Sequence, residues 1–249
     1  MCRMLLQIGK KLSIETYKEY ILSCSDYVGQ EKKDIHERNL SSVHDHRDGY
    51  GFAMLNKGHF ALARYIEPIF ERNPVSEWEK LDTEYLLVHA RRASPGLNIN
   101  ITNNHPFYWY DYNREFVFSH NGTIKSKIKN FDDRKYFLKS STDSEPYFYA
   151  LLTKLEANDW EMSEKIVKKT IENYDYTGAN FFLSTPSRSW VGVYYRMNPQ
   201  YFTMKLYKTE KSIIVSSANL PSLGEPTELL TNGSLIEIDA KSKEYYYLV

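Results

Sequence analysis

The order of strand-like and helix-like segments is what most constrains the fold of this chain. Runs rich in β-branched and aromatic residues fall at 4–8, 51–55, 59–66, 84–89 and 115–120. Others follow at 180–184, 190–196, 201–207, 212–216, 235–238 and 244–248. Between the two groups lie two helical patterns, at 144–155 and about 163–173. A doubly wound parallel sheet would alternate strand and helix, so this grouping predicts a mixed α+β fold. One more helix is expected over 14–22, where Ile14, Tyr17, Ile21 and Leu22 recur at helical spacing behind Ser13, a good N-cap. The polar stretch 26–39 reads as loop with some helix, and Asn232-Gly233 as a tight turn between two strands. Fifteen per cent aromatic residues, mostly Tyr, suit sheet faces where a ring is buried and a hydroxyl stays wet.

No repeat, low-complexity tract or Pro/Gly/Ser-rich linker interrupts the 249 residues, so a single continuous domain over 1–249 is expected. Lys plus Arg equals Asp plus Glu at 32 each, which leaves no global attraction to nucleic acid or to an anionic membrane. The apolar run near the N-terminus is too short for a secretory signal, and no run approaches the ~20 apolar residues of a membrane helix. A cytoplasmic protein is the expectation. Two cysteines, Cys2 and Cys24, provide neither a disulfide framework nor a paired metal spacing, and both should be free thiols.

Cys2 is unusual by position. Its side chain is small enough for Met1 to be trimmed, which would leave one residue bearing a thiol and a free α-amine. With unperturbed pKa values of about 8.5 and about 7.7–8.0, the amine can act as base for its own thiol, and no catalytic His is needed. The bland alternative is a small hydrophobe starting a strand.

Four other segments carry polar groups, and each has two readings. His44-Asp45-His46-Arg47-Asp48 has the look of a metal motif but too few ligands, and Gly49-Tyr50-Gly51-Phe52-Ala53 after it suits a tight turn feeding a buried strand. In His89-Ala90-Arg91-Arg92-Ala93-Ser94-Pro95-Gly96, a strand runs into a Pro-Gly turn. Arg91 could grip a carboxylate bidentately with Ser94 beside it, or make an ordinary surface salt bridge. In Phe118-Ser119-His120-Asn121-Gly122, the Asn121 amide and the Gly122 N–H could converge on an oxyanion, or Asn-Gly could simply turn a hairpin. In Ser141-Thr142-Asp143-Ser144-Glu145, Asp143 could bind a substrate amino group, cap the helix that follows, or do both. Asn104-His105-Pro106-Phe107 adds a further polar turn.

Taken together and in this order, these segments resemble the class II (N-terminal nucleophile) glutamine amidotransferases, specifically the small stand-alone branch. The start Met1-Cys2-Arg3-Met4-Leu5, the element from His46 to Ala53, and the later segments all find counterparts, so the resemblance spans essentially the whole chain. It implies a four-layer αββα sandwich of the N-terminal nucleophile hydrolase type. It also implies Cys2 as nucleophile, Asn121 and Gly122 as oxyanion hole, Arg91 on the substrate α-carboxylate, Asp143 on its α-amine, and Ser94 in the substrate loop. No metal or organic cofactor is implied. Arg92 stands where larger relatives carry Trp and Pro95 where some carry His, which questions a gating loop and synthase coupling but not amide chemistry.

The expected reaction is cleavage of the γ-amide of glutamine or of a γ-glutamyl compound through a Cys2 thioester. The sequence ends at Val249 directly after strand-like segments, with no room for an acceptor-binding domain, so a stand-alone γ-glutamyl amide hydrolase is favoured. The alternatives are a glutaminase delivering ammonia to a separate synthase subunit, an N-terminal nucleophile acylase or peptidase, and a non-enzymatic sheet protein that keeps Met1.

Overall fold

The computed structural model describes residues 2–25, 45–94, 96–111 and 113–249. The strands are β1 (Arg3–Gly9), β2 (Tyr50–Asn56), β3 (His59–Tyr65), β4 (Tyr85–Ala90), β5 (Phe107–Tyr110), β6 (Glu115–Ile124), β7 (Tyr176–Ser184), β8 (Arg188–Val193), β9 (Met204–Lys208), β10 (Ser212–Ser216), β11 (Glu228–Leu230), β12 (Ser234–Asp239) and β13 (Glu244–Tyr247). They form a seven-stranded sheet, β11-β9-β10-β1-β4-β2-β3, and a six-stranded sheet, β13-β12-β8-β7-β6-β5. The named strand pairs are antiparallel in both.

Alternation along each strand builds the layers, because successive side chains point to opposite faces. In β1, Met4, Leu6 and Ile8 meet Val117, Phe182, Val191 and Ile236 of the other sheet and form a core between the two. The opposite face of the first sheet, with Leu5, Leu86 and Val88, packs on Tyr17, Ile21 and Trp78. These last belong to α1 (Ile14–Cys24) and, beyond the four-residue α2 (Ile69–Arg72), to α3 (Val75–Lys80). The outer face of the second sheet, with Phe116, Phe118, Phe181 and Trp190, packs on Phe148, Leu152 and Val167. Those come from α4 (Ser144–Glu156) and α5 (Glu164–Ile171). Three cores thus separate four layers, and the fold is the expected αββα sandwich.

Most expected elements are present with ends shifted by a residue or two. Ser13 accepts from the Thr16 N–H at 3.1 Å and starts α1 as anticipated. Gly233, at φ +91°, closes the turn before β12. The strand expected over 201–207 begins only at Met204. Pro199 stands at the first helical position, where its fixed φ and missing N–H cost nothing, and it starts a helical turn, α6 (Pro199–Phe202). β5, α2, α3 and β11 were not anticipated. The expectation for 26–39 lies outside the described residues. No helix among those described is long and apolar enough to cross a membrane.

Candidate active site

Several strand ends meet at one edge of the sandwich. Arg3 at the start of β1 lies opposite Ala90 at the end of β4, and Ala90 lies opposite Tyr50 at the start of β2. From the second sheet, β6 places Asn121 opposite Asn180 of β7. Cys2, just beyond the start of β1, reaches Asn121 across the gap between the sheets, and Arg91 lies just beyond the end of β4.

Cys2 is held at both ends of its backbone. Its N–H donates to Asn121 Oδ1 at 2.8 Å, and its carbonyl accepts from the Tyr201 hydroxyl at 2.7 Å. Its Sγ stands 3.7 Å from the Arg92 carbonyl oxygen. With Met1 attached, as here, the Cys2 nitrogen is a peptide amide. Cys24 differs. It is fully buried, its Sγ donates to the Tyr20 carbonyl at 3.3 Å, and burial pushes its thiol up to about 12. Only a thiolate is a good nucleophile, so Cys24 is chemically inert.

Asn121-Gly122 does not turn a hairpin, because β6 runs through both residues to Ile124. The Cys2 N–H can only donate, which fixes the amide orientation: Oδ1 faces Cys2 and Nδ2 faces away. That Nδ2 is buried and makes no hydrogen bond. The Tyr201 hydroxyl lies near it; burial pushes this phenol up, and the charge of Arg3 and the Asn121 amide partly counter the effect. Gly122 has φ +150°, and a Cβ there would lie 1.7 Å from the Gly178 carbonyl oxygen. Its partner Ala179 donates its N–H to Tyr194 on the far side of β7. Antiparallel alternation then turns the Gly122 N–H away from β7.

Arg91 leaves the end of β4 with its backbone locked. Its N–H donates to Gly49 O at 2.8 Å, and its carbonyl accepts from the Asp48 N–H at 3.1 Å. The Asp48 carboxylate in turn takes the Ala93 N–H at 2.7 Å, which ties down the loop after β4. The Arg91 side chain is buried, with Nη1 3.5 Å from Asn98 O and Nη2 without a partner. Burial lowers its pKa, and the Cys2 thiolate, when formed, and the Asp48 and Asp143 carboxylates raise it again. A cationic fork with an unused donor thus sits among anionic groups. Ser94 is half-buried, its Oγ 3.4 Å from Thr123 Oγ1.

Asp143 occupies the N-cap position of α4 but makes no side-chain cap there. Its Oδ2 instead accepts the Ile124 N–H at 2.6 Å, which docks the start of α4 onto the end of β6 just beyond Gly122. Oδ1 has only a long contact, 3.5 Å from Ser144 Oγ.

The possible metal motif dissolves into structure. The His46 ring Nδ1 lies 3.2 Å from Cys24 O, Asp45 pairs with Arg47, and Asp48 holds the loop, while His44 lies outside the described residues. No group of three His, Cys, Asp or Glu that could hold a metal ion occurs among the described residues. His89 and His105 pack with ring centroids 4.1 Å apart, and His120 Nδ1 meets Ser144 Oγ at 2.9 Å. Burial pushes His89 down to about 3 and lowers His105 and His120 as well, so all three are neutral near pH 7.

Two neighbours of Cys2 were not found from the sequence. Tyr201 comes from α6, far along the chain, and no local motif marks it. Arg3 donates to Ser23 O at 3.4 Å and Ser217 O at 3.2 Å, with its guanidinium 5.5 Å from the Tyr201 ring centre. Its place next to Cys2 was the only available signal.

A family model described as glutamine amidotransferases class-II matches residues 35–188, more than half of the chain. The chain belongs to the class II glutamine amidotransferases. Arg91, Ser94, Asn121, Gly122 and Asp143 lie within the matched span; Cys2 and Tyr201 lie outside it. An assigned glutamine amidotransferase of Haemophilus influenzae is 24% identical over 214 residues, covering 80% of this chain and 70% of that protein. An uncharacterized protein of Methanocaldococcus jannaschii is 29% identical over 125 residues, covering 49% of this chain and 34% of its own length. Among solved structures, glutamine phosphoribosylpyrophosphate amidotransferase of B. subtilis superposes with a TM-score of 0.65 at 13% identity. That match takes in 99% of this chain and 49% of the enzyme, and it speaks for the shared fold alone. The chain thus spans about a third of the archaeal protein and about half of the B. subtilis enzyme.

Proposed function

We propose that this chain cleaves the γ-amide of glutamine or of a γ-glutamyl compound, with Cys2 as nucleophile once Met1 is removed. The observation that carries this reading is the division of labour in the Asn121 amide. Its oxygen holds the Cys2 nitrogen, while its buried NH₂ makes no hydrogen bond of ordinary geometry, with the Tyr201 hydroxyl near it, and is available to a ligand beside the thiol. A buried donor left unmade costs about 1–3 kcal/mol, a cost that a substrate oxygen would relieve.

In this mechanism the freed α-amine takes the thiol proton and Sγ attacks the γ-carbonyl carbon. Negative charge develops on the carbonyl oxygen and is met by Asn121 Nδ2 and the Gly122 N–H, donors already in place before reaction. The tetrahedral adduct collapses with the C–N bond breaking, and the α-ammonium returns its proton to the departing amine. Water, deprotonated by the same amine, then attacks the thioester and releases the γ-carboxylate and the thiol. Arg91 binds the α-carboxylate through Nη2, Asp143 the α-ammonium through Oδ1, and Ser94 lines the loop between them. These paired grips favour an amino-acid head over the plain acyl group of an acylase substrate. Ammonia, or a bulkier amine in a γ-glutamyl amide, is the leaving group, and we favour the latter.

A diazo-ketone analogue of glutamine tests the assignment. Met1-trimmed protein should take one label, at Cys2, and lose all turnover; a label on Cys24 overturns the reading. A panel comparing glutamine with γ-glutamyl peptides and amines then separates the branches. Higher kcat/KM for the bulkier leaving groups supports the hydrolase. Glutaminase activity seen only after a synthase subunit is added assigns ammonia delivery instead.

A further inference from the structure

The terminal residue of a chain ordinarily frays, because nothing precedes it to hold its backbone in place. A nucleophile at that position needs anchors from elsewhere in the fold, and the anchor on its carbonyl side is Tyr201. We infer that Tyr201 is the positioning residue of the nucleophile, fixing the Cys2 backbone so that only the thiol rotamer remains free. The inference rests on the reading of Cys2 as nucleophile.

The geometry is that of a clamp. Asn121 Oδ1 holds the Cys2 nitrogen at 2.8 Å, and the Tyr201 hydroxyl donates to the Cys2 carbonyl at 2.7 Å. The two bonds reach Cys2 from different parts of the fold, β6 and α6. Fixing N and O together orients Cα, and with it the direction of the Cα–Cβ bond, so that only rotation about that bond is left to place Sγ. After Met1 is gone, the Asn121 bond becomes a contact to an ionisable amine that changes its proton count during each turnover. The Tyr201 bond is the one that stays the same throughout.

Tyr201 is itself held for this task. Asn198, in the left-handed conformation, and Pro199 start the helical turn that carries it. Phe202 packs edge-on against its ring with centroids 5.2 Å apart, and a Cβ on Gly178 would lie 2.3 Å from the Phe202 ring, so this strand is shaped to admit it. Asn180, opposite Asn121 in the sheet, donates from Nδ2 to Phe202 O at 2.7 Å. One pair of facing residues, Asn121 and Asn180, thus reaches both the nucleophile and the turn that carries its anchor. Arg3, the residue after Cys2, holds its guanidinium over the ring, 5.5 Å from its centre. Burial raises the phenol pKa, so the hydroxyl remains a donor over the whole working pH range.

The test uses Met1-trimmed protein and Tyr201→Phe, which keeps the ring and removes only the donor. A diazo-ketone glutamine analogue gives kinact and KI, a γ-glutamyl amide gives kcat and KM, and hydrogen exchange reads the backbone amides of Arg3 and Met4. We expect kcat and kinact to fall together by about ten- to a hundredfold, since small misplacements of a reacting group cost that much. KM and KI should stay within about twofold, because the substrate grips are untouched, and the amides of Arg3 and Met4 should exchange faster while the rest of β1 does not. If Y201F labels Cys2 at the wild-type rate, or if the whole loss appears in KM and KI, the positioning role is overturned and Cys2 stands. If wild-type protein is neither labelled at Cys2 nor active, the reading of the site itself has failed.

Discussion

Asn121 presents its amide oxygen to the Cys2 nitrogen at 2.8 Å and leaves its amide nitrogen buried without a partner. One side chain therefore both holds Cys2 and offers a donor beside it. Asn121→Ala should lower kcat by on the order of 10²–10³, with a much smaller change in KM, because the bond to the oxyanion exists only in the transition state. Steady-state kinetics on a γ-glutamyl amide decides it. A loss confined to KM would make Asn121 a ground-state contact.

Arg91 should be sensitive to a change that keeps its charge. Its unpartnered Nη2 belongs to a planar fork, and a Lys ammonium cannot reproduce two parallel donors. Arg91→Lys is expected to raise KM tenfold or more for substrates bearing an α-carboxylate. Decarboxylated analogues should be poor substrates for both proteins alike. Equal effects on both substrate types would place Arg91 outside the binding contact.

Gly122 should tolerate no side chain. A Cβ would sit 1.7 Å from a backbone oxygen of β7, at a φ of +150° that L-residues rarely adopt. Gly122→Ala is expected to destabilise the fold by about 3 kcal/mol or more, combining overpacking with backbone strain. Urea denaturation followed by tryptophan fluorescence measures it. A stability within about 0.5 kcal/mol of the wild type would contradict the placement of the β6–β7 pair.

The buried histidines set the acid limit. His89, held near 3 in the fold against an ordinary 6.5, binds a proton in the unfolded chain before it can in the folded one. Its contribution is fully present above pH 6.5 and is lost as pH falls toward 3, by about 1.4 kcal/mol per unit. His46, His105 and His120 are shifted in the same direction, so the losses reinforce one another. Stability should be flat from pH 7 to 8 and fall steeply between 6 and 4, and His89→Gln should flatten that slope. Denaturation midpoints that do not change between pH 7 and pH 5 would refute this.

Long patterned elements were readable from the residues alone. β1 announces itself by an apolar run, and α1 by Ser13 and its periodic hydrophobes. Elements without a pattern were not. α2 and α3 hold four and six residues, too few to show a period, and β5 is an edge strand hidden behind a polar turn. At Asn121-Gly122 the turn chemistry and the site chemistry use the same two residues, and the turn is excluded only by the continuation of β6 to Ile124. Of the candidate polar residues, Arg91 and Asp143 could be named because they sit at a strand end and a helix start, and Asn121 and Gly122 because their pair stands out within an apolar strand. Tyr201 could not, since its contact with Cys2 spans 199 positions and depends on packing that no local window contains.

That separation also orders events in time. β1 can pair with β4 before β5 to β8 have been made, but its other neighbour, β10, and the Tyr201 turn follow only after them. Contacts so distant along the chain are the slow ones to form. The Tyr201 bond to the Cys2 carbonyl is therefore made after the Asn121 bond to the Cys2 nitrogen has become possible, so the two holds on this one residue are separated in time.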